Sequence, residues 1–191
     1  HPVLKSTLPL RWALGRSMDP FELPCFSIRD LCAEDERVPC TSAVDYSGLG
    51  YLDPSNSDED LPKDSQVDLP LWLARLLHEK NMCQVGLPRH FREKFREELE
   101  AGPASINLRD KSAHFFDSGY ALARVTMDDD LQKKMLHALA GSRFAQIMNL
   151  AFNSEHEDVR EETRMFTELE REIFEAGYCT TRAFKDWKGR P

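Results

Sequence analysis

The pattern of hydrophobic and polar positions is clearest in residues 68–77. Pro70 suits the first turn of a helix, where its missing N–H costs no hydrogen bond, and Asp68 and Leu69 are the candidate caps. At 100° per residue, Leu71 points nearly opposite the main apolar stripe, so either a second layer of protein covers it or it is exposed to water. Five side chains form that stripe and are predicted to be core residues: Leu69, Trp72, Leu73, Leu76 and Leu77.

Upstream of this helix the pattern predicts short elements. Ser27 and Asp30, which follow Phe26, resemble a capping arrangement and predict a brief helix. Short apolar runs bounded by turn residues then predict three strands, at residues 37–41, 48–52 and 65–69. Pro39 makes the first of them an edge strand, since proline cannot donate to a sheet ladder. The polar, acidic residues 53–60 are predicted to form an exposed loop.

Downstream, two amphipathic helices are predicted before residue 126. The first begins at Leu87-Pro88 and ends at Gly102-Pro103, where glycine and proline together terminate a helix. The second spans residues 111–125 and contains Gly119. Glycine lowers helix propensity but permits a neighbouring element to approach closely, so we expect tight packing there.

The last third of the chain is also predicted to be helical. A long helix is expected to reach Leu150, because three consecutive acids suit the positive first turn and large apolar residues recur at helical spacing. Ser154 and Glu157 match a capping box and predict a further helix that ends at Gly177. Residues 181–187 are predicted to form a final short helix that Phe184 and Trp187 dock onto the rest of the protein.

These elements predict a mainly α fold, in which a small β-rich N-terminal domain precedes an α-helical bundle domain. The predicted boundaries are a flexible extension at 1–20, the β-rich domain at 21–69 and the α-helical domain at 70–191. Residues 1–17 are basic and precede Met18, which is typical of a natural start preceded by an added extension. The alternative is a transit peptide, although Pro2 and Pro9 would impair its amphipathic helix.

Charge restricts the classes of partner. The net charge is −8, and because the first seventeen residues carry three cations and no acid, the remainder carries −11. Such a surface repels phosphate, so we expect no direct nucleic-acid binding, and the basic residues at 89–96 and 133–134 are interpreted as solvated helix faces. No uncharged apolar run nears the roughly 20 residues that a bilayer requires, so we expect no membrane contact.

Candidate chemistry is sparse. The five cysteines show neither a Cys-x-x-Cys pair nor zinc-finger spacing and are predicted to be reduced, structural thiols. No nucleotide-binding or hydrolase motif is present. His114 with Asp117, and His156, are candidate acid–base groups, but each is interpreted as structural. We therefore predict a protein that is not an enzyme and has no cofactor or metal.

Several apolar side chains lie outside the core-facing stripes, on helix faces that should be exposed to solvent. The sequence alone does not separate a partner surface from a plain two-layer core at these positions. Together with the lack of a catalytic constellation, the surplus favours an interaction protein. The residues predicted to contact partners are Leu71, Phe115, Phe116, Tyr120, Leu136 and Phe144.

The order of several motifs resembles the GINS family, in its third Psf-type subunit. Residues 67–74, Val-Asp-Leu-Pro-Leu-Trp-Leu-Ala, resemble the junction sequence of that family, and residues 114–119, His-Phe-Phe-Asp-Ser-Gly, resemble its His-Phe-aromatic-x-x-Gly element. Residues 26–31 and Leu87-Pro88 match in the same order, and the resemblance covers residues 21–188. Residues 53–63 have no counterpart in it.

The resemblance implies a scaffold without catalytic activity that joins three paralogous subunits in a heterotetramer. Through the assembled complex it would contact the MCM helicase ring and a RecJ-like cofactor, in the nucleus, during initiation of DNA replication and fork progression. The alternative function is a stand-alone helical adaptor or interaction protein.

Overall fold

A computed structural model describes residues 28–154 and 159–189. In these residues a short helix, α1 (Ile28–Glu34), precedes a three-stranded antiparallel sheet with strand order β2-β1-β3. Its strands are β1 (Arg37–Ser42), β2 (Gln66–Pro70) and β3 (Cys83–Val85). The predicted mainly α fold with a small N-terminal β portion is confirmed, and so is the strand predicted at residues 65–69. The brief β3 was not predicted and falls beyond the boundary predicted between residues 69 and 70.

Helices make up most of the remaining described chain. Three single-turn 3-10 helices lie at Gly50–Leu52, Arg89–Phe91 and Pro103–Ser105. The longer helices are α2 (Leu71–Glu79), α3 (Glu93–Ala101), α4 (Phe115–Val125), α5 (Asp129–Ala138), α6 (Phe144–Asn153), α7 (Arg160–Arg164) and α8 (Glu168–Lys188). One continuous hydrophobic core joins the inner face of the sheet to helices α2 to α5.

The strand that contains Pro39 lies at the centre of the sheet, so the edge position predicted for it is wrong. β1 pairs with β2 on one side and with β3 on the other. Gly86 N–H donates to Pro39 O at 2.7 Å, beyond the last residue of β3. Because the nitrogen and carbonyl of a strand residue face the same side, the nitrogen of Pro39 also points past the end of β3, where no ladder donor is required.

The two faces assigned to α2 are reversed in the structure. Leu71, predicted to contact a partner, is 2% exposed, whereas Trp72, predicted to be core, is 43% exposed. The reason is that β2 continues to Pro70 without a loop. Val67 and Leu69 are buried, and the two-residue period of the strand carries Leu71 to the same face.

The rest of the predicted stripe divides between core and surface. Leu69 is buried, while Leu73 and Leu77 are partly buried against the core. Leu76 is exposed, so its core assignment is wrong. Ala74, with no exposed surface, occupies the buried face of α2, and its small side chain lets the helix approach the sheet closely.

Two other predicted partner residues belong to the core. Phe115 and Phe116 are buried, and their rings meet edge to face with centroids 5.4 Å apart. Phe91 packs against Phe115 at 4.9 Å. Both residues of the pair are buried because α4 is enclosed by neighbouring elements on more than one side. Gly119 allows Phe91 to pack closely against α4, since a Cβ at residue 119 would lie 2.6 Å from Phe91 Cε1. The close approach predicted at Gly119 is confirmed.

Several predicted element boundaries are corrected by the structure. Residues 48–52 form a turn and a 3-10 helix instead of a strand. Gly48 has φ +74°, which is not an extended conformation, and Gly50 lies so close to the neighbouring backbone that a Cβ there would be 2.0 Å from Asp58 O. α4 begins at Phe115, four residues after the predicted start. The predicted long helix is divided into α5 and α6 by a π-helical segment, Leu139–Arg143, in which Gly141 is non-helical.

The capping box of the final helix lies elsewhere than predicted. Ser154 is the C-cap of α6, and Glu157 and His156 lie outside the described residues, as do Ser27 and the predicted extension. Thr167 and Glu170 form the observed box at the start of α8. The helix then continues through Gly177, so the two helices predicted at 154–177 and 181–187 are replaced by α7 and one 21-residue helix.

Candidate interaction surface

In the predicted acid–base pair of His114 and Asp117, the Asp117 carboxylate is engaged in an ion pair with another helix. Arg29 on α1 donates from Nε and Nη2 to the Asp117 carboxylate at 3.2 and 2.6 Å, and it also pairs with Glu172 on α8. Burial opposes the charge of Arg29, but the two carboxylates raise its pKa above the ordinary value. His114 precedes α4, and its Nδ1 is buried without a hydrogen-bond partner in the described residues. The Asp117 carboxylate therefore serves to fasten α1 to α4.

The basic stretch at residues 89–96 likewise contains an internal ion pair. Arg96 is buried; its Nε donates to Phe91 O at 2.8 Å, and its Nη1 lies 3.1 Å from Asp128 and 3.3 Å from Asp130. Asp128 also caps α5 by accepting from Leu131 N at 3.0 Å. Hydrogen bonds from Arg96 hold the pKa of Asp128 below its ordinary value. This arginine therefore links α3 to the start of α5.

A third ion pair, wholly buried, joins α8 to the segment between α5 and α6. Arg143 Nε donates to the carboxylate of Glu170, and Arg143 Nη1 donates to Ile106 O at 2.9 Å and to Pro103 O. The same carboxylate accepts from Thr167 N at 2.9 Å and from Thr167 Oγ1 at 3.0 Å. One carboxylate thus serves both the capping box and the pair with Arg143.

The cysteines in the described ranges are free thiols. Burial raises the pKa of Cys40 to about 12 and raises that of Cys83, so neither is a nucleophile near neutral pH. Cys32 and Cys179 are exposed, and Cys25 lies outside the described residues. Across residues 28–154 and 159–189, no cluster of His, Cys, Asp and Glu could hold a metal ion. No helix in the same ranges has the length and apolar character needed to cross a membrane.

The most conspicuous surface feature is exposed apolar area on α1 and α2. Ile28 and Leu31 project from α1, and Trp72 projects from α2 beside them. Together with Cys32, Asp35 and Glu34, which pairs with Arg75, they line a shallow groove. The sequence analysis missed this surface because it placed Trp72 in the core. The available signal was the four-residue spacing of Trp72 and Leu76, which puts these two exposed side chains on the same side of α2.

A second exposed apolar set lies on α4, α5 and α6. Tyr120, Leu136 and Phe144, three of the residues predicted to contact partners, are all exposed, and Leu136 is 64% exposed. Phe152 adds another exposed ring near the end of α6. Large apolar side chains on exposed helix faces are typical of protein–protein contact surfaces.

A third set lies at the end of α8, where Phe184 and Trp187 are exposed and their ring centroids are 5.9 Å apart. These residues were predicted to dock a short final helix onto the body of the protein. In the structure they project from the last turns of α8 instead. The described residues thus combine internally paired charges with three exposed apolar sets, an arrangement suited to binding protein partners.

Comparisons with known proteins point to one family. Residues 26–79 match the model of the PSF3 N-terminal domain. The DNA replication complex GINS protein PSF3 of Xenopus laevis is 30% identical over 185 residues, covering 95% of this chain and 85% of that protein. The probable PSF3 of Dictyostelium discoideum is 30% identical over 86% of this chain, which spans 62% of that protein's length. Schizosaccharomyces pombe psf3 is 27% identical, with 85% and 96% covered.

Proposed function

This chain belongs to the PSF3 family of DNA replication complex GINS proteins, and from that membership we propose that it is a non-catalytic scaffold subunit of a GINS complex acting in DNA replication. Its partners are three paralogous subunits, with which it forms a heterotetramer. Through that complex it contacts the MCM helicase ring and a RecJ-like cofactor in the nucleus, during initiation and fork progression.

The observation that supports a scaffold is the division of roles between charged and apolar side chains. Arg29, Arg96 and Arg143 fasten helices of this chain to one another. By contrast, large apolar groups such as Leu136 and Trp72 lie on the surface. Apolar surface drives protein association because its removal from water is favourable, by about 25 cal/mol per Å².

Two of the exposed sets are proposed to contact sister subunits. The first is the α4 to α6 set of Tyr120, Leu136 and Phe144, as expected from the sequence. The second is the α1 to α2 groove around Trp72, which replaces Leu71, Phe115 and Phe116 as the remaining proposed contact. Glu34 at this groove is paired with Arg75 at 3.1 Å, so Asp35 is the carboxylate that a basic group on the partner face would meet.

Direct nucleic-acid binding is not part of the proposal. Lys134, in the basic pair at residues 133–134, lies within 4.0 Å of carboxylates from Glu93, Glu100 and Asp130. Arg96 is likewise paired and buried. Basic groups neutralised by their own chain offer little charge to a phosphate backbone, and the net charge of −8 opposes a long-range approach.

Co-expression with the other three GINS subunits tests the proposal. The expected result is one stable complex with the four chains in equal amounts. A soluble, monodisperse monomer that ignores the three subunits would refute it and favour the alternative, a stand-alone helical adaptor.

A single substitution tests the α4 to α6 surface within that experiment. Leu136→Asp should reduce recovery of the complex at least tenfold while leaving the far-UV circular dichroism of the chain unchanged, because Leu136 is mostly exposed. The matched control is His137→Asp, which places the same charge on the neighbouring exposed position of α5. Equal effects of the two changes would remove Leu136 from the contact.

A further inference from the structure

The last turns of α8 extend beyond the helix against which α8 packs. Arg143, just before α6, pairs with Glu170 near the start of α8. Farther along, Ala151 meets Gly177, where a Cβ would lie 3.0 Å from that of Ala151. The two helices therefore run side by side in the same direction. α6 ends at Asn153, but α8 continues to Lys188, about 16 Å past Gly177 at 1.5 Å per residue.

The side of α8 that faces α6 continues into this projecting part. Glu170 and Gly177 are buried and seven residues apart, and Phe184 occupies the next position in the same series. A seven-residue spacing keeps side chains on nearly the same side of a helix. Phe184 is nevertheless 59% exposed and Trp187 is 68% exposed. The packing seam therefore continues past the point where α6 ends.

Exposure of this end is energetically unfavourable. Every residue from 182 to 189 is exposed, so the described residues cover little of the last two turns of α8. Most helical stability in proteins comes from packing of an amphipathic face, and such an end alone is marginal. Two neighbouring aromatic rings left in water add to the cost, whereas tryptophan buried in a partner is a frequent binding hot spot.

The charge of the projecting end differs from that of the whole protein. Arg182 and Lys188 are exposed cations of this end, which has a single carboxylate, Asp186, although the chain carries −8 overall. Basic residues suit the negative end of the helix dipole, but Arg182 lies nearly two turns before that end. The end of α8 is thus a basic helix with an aromatic stripe, complementary to an apolar groove with carboxylates on its rim.

We propose that residues 180–188 of α8 dock into an apolar, carboxylate-rimmed groove between helices of another GINS subunit, where a partner helix continues the seam that α6 leaves at Asn153. This inference rests on the proposed function, because it takes the occupant to be a sister subunit. Nucleic acid is a poorer match, since phosphates would neutralise the cations but leave the Phe184 and Trp187 pair wet.

Hydrogen exchange on the full-length chain, alone and in the co-expressed complex, tests the location of the contact. Backbone amides of residues 182–188 should exchange at least a hundredfold more slowly in the complex than in the free chain. Protection already present in the free chain would overturn the proposal and assign the cover to residues 1–27 or to a second copy. Protection conferred by duplex DNA instead of by the complex would overturn it in favour of nucleic acid.

Paired substitutions test the chemistry of the contact. Phe184→Ala with Trp187→Ala should weaken incorporation into the complex at least tenfold. The control, Tyr51→Ala with Met127→Ala, removes two apolar side chains elsewhere that are more exposed than Phe184 and Trp187, and it should have no effect. Equal incorporation of the two double variants would refute a role for the aromatic pair.

Charge reversal provides the electrostatic part of the test. Arg182→Glu with Lys188→Glu should weaken assembly at least tenfold at low salt and less at high salt, because screening reduces attraction between charges near a surface. An effect independent of salt would remove the carboxylate rim from the proposal. If the wild-type chain forms no complex with the three subunits, the proposed function fails; if the complex forms while the end of α8 stays unprotected and tolerant of substitution, only this inference fails.

Discussion

Replacing Glu170 by alanine should destabilise the protein strongly, because one buried carboxylate serves three donors. Glu170 has no exposed surface, and it accepts from Arg143, from Thr167 N and from Thr167 Oγ1. Alanine would leave the guanidinium of Arg143, which is 6% exposed, without this counter-charge. It would also remove half of the capping box that begins α8.

The expected loss in the free energy of unfolding follows from these two effects. Removing one partner of a buried ion pair costs about 3–5 kcal/mol, mainly because the other charge stays buried and uncompensated. Losing a cap costs about 1 kcal/mol more, although the two effects share one carboxylate and do not add fully. We therefore expect a loss of about 4 kcal/mol for Glu170→Ala, a large part of the roughly 5–15 kcal/mol that stabilises a typical domain.

Urea unfolding followed by far-UV circular dichroism measures this loss. The matched control is Glu175→Ala, an exposed position on the same helix, which should change stability by less than about 0.5 kcal/mol. The double variant Arg143→Met with Glu170→Leu should recover much of the stability, because it removes both buried charges and fills their volume. A loss below about 1 kcal/mol for Glu170→Ala, or no recovery in the double variant, would refute the role given to the pair.

Three further predictions use the same unfolding measurement. Leu71→Ala should cost about 2–5 kcal/mol because Leu71 fills the core, and Trp72→Ala distinctly less because Trp72 is 43% exposed; equal losses would contradict the assigned faces. Gly119→Ala should cost about 1–3 kcal/mol, since its methyl would lie 2.5 Å from a methionine side chain, whereas Gly189→Ala, with its nearest contact at 3.4 Å, should be nearly neutral. The pKa of Asp128 in the folded protein is below its ordinary 3.8, so its contribution to the free energy of unfolding is complete above about pH 4 and is lost as the pH falls through the folded pKa. Asp128→Asn should therefore flatten the dependence of the unfolding free energy on pH in this range. An unchanged dependence would contradict the coupling between Asp128 and Arg96.

The fold class followed from sequence because alternating and helical patterns are local properties. The start of α2 did not, since a strand and a helix meet there without a loop. A period of 3.6 applied from Leu69 onward predicts one apolar side, whereas the two-residue period of β2 decides the side for Leu71. The same limit explains Pro39, whose place at the centre of the sheet depends on the three-residue strand β3, too short to show a pattern.

The helix boundaries in the last third show a second limit. Ser154 with Glu157 and Thr167 with Glu170 have the same capping spacing, and the sequence alone offers no reason to prefer the second. The structure selects it because the carboxylate of Glu170 also pairs with Arg143, a contact across 27 positions. The position of the capping box therefore depends on Arg143, which is distant in sequence, and local sequence patterns do not reveal such a contact.

The candidate surface was predictable in kind but only partly in position. An acidic chain with surplus apolar helix faces and no catalytic constellation indicates an interaction protein, and three predicted contact residues, Tyr120, Leu136 and Phe144, are exposed. Phe115 and Phe116 are adjacent on α4, about 100° apart, and both are buried. Periodicity on a single helix does not show how many sides its neighbours cover, because that number is a property of the tertiary arrangement.

The charged residues beside the exposed apolar surfaces differ from one surface to another. The body of the chain is acidic, so like-charge repulsion opposes random contact between copies. Association is therefore expected at the exposed apolar surfaces. The groove beside Trp72 is apolar with Asp35 among its lining residues, whereas the end of α8 carries the cations Arg182 and Lys188 beside its aromatic pair. Each should therefore favour a partner face of the opposite sign, and a scaffold with two such faces can join two different neighbours without exchanging them.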